Sequence, residues 1–64
     1  MKYYCVFKWY GRNMNGLAAE IYETPLISSE TIEKLTLDIK HKLEEKYPNK
    51  GPIDVILINW KKID

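Results

Sequence analysis

Lys2-Tyr3-Tyr4-Cys5-Val6-Phe7-Lys8-Trp9-Tyr10 reads as a strand that is apolar on both faces. One alternate set is Tyr3, Cys5, Phe7 and Trp9, and the other is Tyr4, Val6, Lys8 and Tyr10. Successive strand side chains point to opposite faces, so a sheet covered on one side alternates apolar with polar. This segment does not alternate, which suits a central strand with something packed against each face.

A second segment, Ile53 to about Lys61, behaves likewise. Ile53, Val55 and Leu57 form one set, and Ile56, Ile58 and Trp60 form the other. Either set can face the core. Val55 and Leu57 are expected inward and Ile56, Ile58 and Trp60 outward, and Lys61 and Lys62 after Trp60 turn the chain to solvent.

Between these two segments lie one more strand and one helix. Leu17 to Thr24 alternates Leu17, Ala19 and Ile21 with Ala18, Glu20 and Tyr22. Gly11-Arg12-Asn13-Met14-Asn15-Gly16 connects it to the first strand and is rich in residues that tolerate positive φ. A tight Asn15-Gly16 turn would set Trp9 opposite Tyr22. A five-residue loop from Gly11 to Asn15 sets Phe7 opposite Ala19 and Cys5 opposite Ile21, and it is preferred because it aligns the two all-apolar sets.

Pro25 ends that strand. Ser28 then suits a helix N-cap, with Glu30 in the first turn and Ile27 and Ile32 placed as a hydrophobic staple. Ile32, Leu35, Ile39, Leu43 and Tyr47 follow the helical period on one stripe, and Glu33, Lys34, Lys40, Lys42, Glu44 and Glu45 lie outside it. Pro48-Asn49-Lys50-Gly51-Pro52 stops the helix and turns the chain. Leu37 falls on the outer side.

The order strand, strand, helix, strand predicts an α+β fold: a small β-β-α-β domain spanning 1–64. A right-handed crossover sets the third strand beside the first, giving a three-stranded antiparallel sheet of order 2-1-3 with the helix on one face. The helix is expected over Tyr3, Cys5, Phe7, Trp9, Leu17, Ala19, Ile21, Val55 and Leu57. That leaves Tyr4, Val6, Tyr10, Tyr22, Ile56, Ile58 and Trp60 on the uncovered face, with Lys2, Lys8 and Lys62 around them and Glu20 and Asp54 beside them.

Composition narrows the function classes. The chain has 64 residues and a formal charge of +1, so no global field draws it to nucleic acid or an anionic membrane. A single cysteine excludes an intramolecular disulfide and fits a cytoplasmic protein. The start, cut by Lys8, is not expected to act as a signal peptide, and no apolar run is long enough to span a bilayer.

Catalytic constellations are missing from the sequence pattern. Cys5 is expected in the buried set and His41 on the charged side of the helix, so they cannot pair as nucleophile and base. Histidine, cysteine and carboxylates do not cluster at metal-ligand spacing, and Gly11 and Gly16 do not frame a phosphate loop. No enzyme activity and no cofactor are expected. A face bearing so many large apolar residues instead points to a protein partner, first a second copy forming a dimer. The alternative is single-stranded nucleic acid, with Tyr4, Tyr10, Tyr22 and Trp60 stacking on bases and lysines on phosphates. Glu20, Asp54 and the aliphatic Val6, Ile56 and Ile58 weigh against it.

Overall fold

The computed structural model describes residues 1–49 and 52–64, so Lys50 and Gly51 of the expected turn after the helix lie outside the described residues. Strand β1 spans Lys2–Gly11, β2 spans Met14–Glu23, helix α1 spans Ser29–Lys46 and β3 spans Asp54–Lys62. The sheet is antiparallel in the order β2-β1-β3, with β1 in the centre. This is the α+β arrangement that the two-sided apolar pattern of β1 implies.

The helix starts and docks as its sequence dictates. The Ser28 hydroxyl accepts from the Thr31 amide at 3.3 Å, satisfying one of the free donors of the first turn. Ile27 packs on the core beside it. Leu35, Ile39 and Leu43 are buried against Cys5, Phe7 and Trp9 of β1. Tyr47, just past the helix end, stacks on Trp9 with centroids 5.4 Å apart.

Ile53 joins the helix to β3. It is fully buried, and both of its backbone groups are held by one helical ion pair. Its amide donates to Glu44 Oε2 at 3.2 Å, and its carbonyl accepts from Lys40 Nζ. Lys40 and Glu44 are themselves 3.1 Å apart, four residues along the helix. A residue entering the sheet before its ladder begins would otherwise leave these groups unpaired in an apolar setting.

The register of the β1–β2 hairpin corrects both sequence readings. Gly11 pairs with Met14, so the connection is Arg12-Asn13 alone, with Asn13 at φ 55°. Asparagine tolerates this left-handed conformation better than most residues. Phe7 lies opposite Ala18 and Cys5 opposite Glu20, one residue from the preferred alignment. A one-residue shift turns a whole strand over. Ala18, Glu20 and Tyr22 therefore share the helix side, while Leu17, Ala19 and Ile21 face away from it.

Side-chain volume explains this choice. The largest β1 ring, Trp9, pairs with Gly16, and a Cβ added there would come within 3.0 Å of the indole. Phe7 pairs with the small Ala18. Small β2 residues thus stand opposite both buried β1 rings, and a larger residue at Gly16 would crowd the indole.

A second correction falls on β3. Phe7 pairs with Leu57 but Val6 pairs with Asn59, so Ile58 is an extra residue in the ladder. Such a bulge places two residues opposite one and reverses the alternation beyond it. Val55 and Leu57 pack on the core as expected. Trp60, however, pairs with Cys5 and lies on the helix side of the sheet.

Candidate protein-interaction face

The face away from the helix is built from all three strands. On β1 it carries Tyr4, Val6, Lys8 and Tyr10. On β2, Ile21 lies beside Tyr4, Ala19 beside Val6 and Leu17 beside Lys8. On β3, Ile56 lies beside Lys8, and Ile58 sits at the bulge opposite Val6. Tyr4, Tyr10, Leu17, Ile21, Ile56 and Ile58 are each between 44% and 65% exposed. Isolated exposed apolar residues are common, but a continuous set across three strands is not.

One cation crosses the middle of this surface. Lys8 lies between Leu17 and Ile56, but its ammonium is drawn toward the rim. It donates to Asn15 Oδ1 at 3.0 Å and lies 5.5 Å from the Tyr10 ring centroid. Its methylene stem extends the apolar surface while the charge keeps a polar partner.

Five of the seven residues expected on this face are there: Tyr4, Val6, Tyr10, Ile56 and Ile58. Two are not. Tyr22 is half-buried on the helix side, edge-on to Phe7 with centroids 6.3 Å apart, because the hairpin closes at Asn13. Trp60 is displaced by the bulge at Ile58, although it stays 46% exposed. In their place the face gains Leu17, Ala19 and Ile21, against the expectation that they lie under the helix. The small residues Gly16 and Ala18, at the spacing of Trp9 and Phe7, were the available signal for that exchange.

The charged groups form a separate system along the opposite side. Tyr22 donates its hydroxyl to Asp38 Oδ2 at 2.6 Å, and Lys42 lies 3.1 Å from the same carboxyl. Lys42 also reaches Glu20 at 3.4 Å. Hydrogen bonds from Tyr22 and then Lys42 hold the Asp38 carboxyl below its ordinary range. Burial, followed by the hydrogen bond to Asp38, pushes the Tyr22 phenol well above its own. Cys5 is fully buried and burial raises its thiol pKa, whereas His41 is exposed on the helix.

Among the described residues, no group of three or more His, Cys, Asp or Glu side chains is placed to hold a metal ion, and no enclosed pocket is present. Among the described residues, no helix is long and apolar enough to cross a membrane. Comparison with known proteins finds no matching family model, no similar curated protein and no similar solved structure.

Proposed function

We propose that this protein works by protein association, with no catalytic step, and that the first partner of its open sheet face is a second copy of itself. One observation carries the reading. The edge strands contribute Leu17, Ile21, Ile56 and Ile58 to the same face as Tyr4, Val6 and Tyr10 of the central strand. Burying that surface removes apolar area from water, at about 25 cal/mol per Å². Two such faces packed together form a helix–sheet–sheet–helix sandwich, in which each sheet gains the second apolar layer that its composition calls for.

The departure of Tyr22 and Trp60 from the face supports protein over nucleic acid. Two aromatics remain, Tyr4 and Tyr10, and the new neighbours are aliphatic. Aliphatic side chains do not offer the flat stacking platform on which single-strand binding depends.

Sedimentation across a concentration series tests the reading. A monomer–dimer equilibrium is expected by about 100 μM, a Kd regime that corresponds to roughly 5–6 kcal/mol of association energy. A strict monomer at that concentration would refute self-association. Micromolar affinity for single-stranded nucleic acid, falling steeply with salt, would reverse the ranking of the two partners.

A further inference from the structure

We infer that two copies pack face to face in one orientation, with their strands antiparallel and a two-fold axis crossing the strands at the level of Phe7, so that Lys61 of each copy meets Asp54 of the other. The inference rests on the self-association proposed above and specifies its geometry.

The argument starts on β3. Asp54 pairs with Tyr10 and Lys61 pairs with Tyr4, so both stand on the open face, at opposite corners of one edge strand. Both are exposed, and among the described residues neither takes part in an ion pair. Lys2, at the Lys61 end, is already faced by Glu23 across the β1–β2 ladder. The open face is therefore mainly apolar in the middle, where Lys8 reaches toward the rim, with Asp54 at one corner and Lys61 at the other, the end at which the Asp64 carboxylate accepts from the Lys2 amide.

Identical sheets packed face to face are related by a two-fold axis lying in the plane between them. An axis along β1 lays β3 of one copy over β2 of the other. Asp54 then covers Asn15, Lys61 covers Ile21, and Lys8 stacks on Lys8 at the centre of the contact. The corner charges lose water without gaining a counter-charge, and like charges meet in the interior.

An axis across the strands removes all three conflicts. It lays β3 over β3 with its ends exchanged, so Lys61 covers Asp54 twice. Tyr4 covers Tyr10, and Lys8 covers Val6. Lys8 suits that position, because its ammonium is already drawn to Asn15 and its stem is left to meet an apolar neighbour. Aligned sheet packing tolerates either axis, so the charges decide between them.

Asp54→Lys and Lys61→Glu test the orientation, read by sedimentation at low ionic strength. Each variant alone is expected to dimerise about tenfold more weakly than the wild type, since like charges then face each other twice. An equimolar mixture of the two variants restores association, because every corner contact is again between opposite charges. Unchanged dimerisation of both variants overturns the orientation while leaving self-association standing. A monomeric wild type overturns self-association and the orientation with it. If circular dichroism shows either charge-reversed chain unfolded, Asp54→Asn and Lys61→Gln replace them. Both neutral variants should then weaken the dimer and flatten its salt dependence, and a wild-type dimer that tightens with salt overturns the pairing.

Discussion

Tyr22 and Asp38 meet at 2.6 Å across the seam between β2 and α1. The contact ties an edge strand to the flank of the helix through polar groups. Tyr22 reaches it from the helix side of the sheet, where its ring also meets Phe7 edge-on. Lys42 closes the system by bridging Asp38 and Glu20. The seam is a hydrogen-bonded rim around an apolar centre.

Tyr22→Phe should destabilise the protein by about 1 kcal/mol near neutral pH, below the roughly 1.5–3 kcal/mol usual for a hydrogen bond to a charged group because the Asp38 carboxyl is exposed. The sign of the pH dependence follows from Asp38, whose folded pKa is depressed chiefly by this bond. A depressed carboxyl contributes stability above its unfolded pKa and loses it as pH falls through the folded value. The gap between wild type and Tyr22→Phe should therefore narrow on acidification. Urea unfolding of both chains at about pH 7 and about pH 3 measures it, and a gap that widens in acid excludes this origin.

Phe7→Ala should cost about 3–5 kcal/mol, the usual range for truncating a buried aromatic ring. Phe7 is fully buried in the centre of the core. A chain of this length has few other contacts to absorb such a loss, so the variant should be largely unfolded at room temperature. Thermal unfolding unchanged from wild type would contradict the assignment of Phe7 to the core.

Gly16→Ala sets two effects against each other. Replacing glycine in a strand interior ordinarily gains about 0.5–1 kcal/mol through a less flexible unfolded chain. Here the new Cβ meets the Trp9 indole at 3.0 Å, and that ring is already stacked on Tyr47. Crowding of a packed ring costs about 1–3 kcal/mol, so a net loss of stability is expected. Chemical denaturation gives the sign, and the tryptophan emission of the folded state should change with it.

The fold was legible because the rules that govern it are local. Two-sided apolar character marked β1 as central, and Ser28, Ile27 and the Leu35–Ile39–Leu43 stripe marked the helix. The composition of the open face was less legible because it depends on single-residue offsets. Asn13 allows the hairpin to close in two residues, and Ile58 adds one residue to β3. Each offset exchanges the faces of everything beyond it. Neither leaves a signature in periodicity, because both sets on β3 are apolar and β2 offers an apolar set on one side and Tyr22 on the other. Gly16 against Trp9 is the exception, since a missing side chain opposite the largest ring is a volume argument available from sequence.

The bulge at Ile58 makes the last prediction a comparison between neighbours on one strand. Ile56 is exposed on the open face beside Lys8, and Leu17 flanks Lys8 from the other edge. Ile56→Ser and Leu17→Ser should each weaken dimerisation while the unfolding midpoint stays near wild type, because substitutions at exposed positions typically change stability by about 0.5 kcal/mol or less. Trp60→Ala removes a larger side chain, yet Trp60 lies opposite Cys5 on the helix side. Its loss should leave dimerisation unchanged and register as a modest loss of stability. Plain alternation would group Trp60 with Ile56 and Ile58 and predict the reverse. Sedimentation of the three variants beside their unfolding curves separates the two views. Dimerisation abolished by Trp60→Ala and untouched by Ile56→Ser would move the contact surface to the helix side of β3.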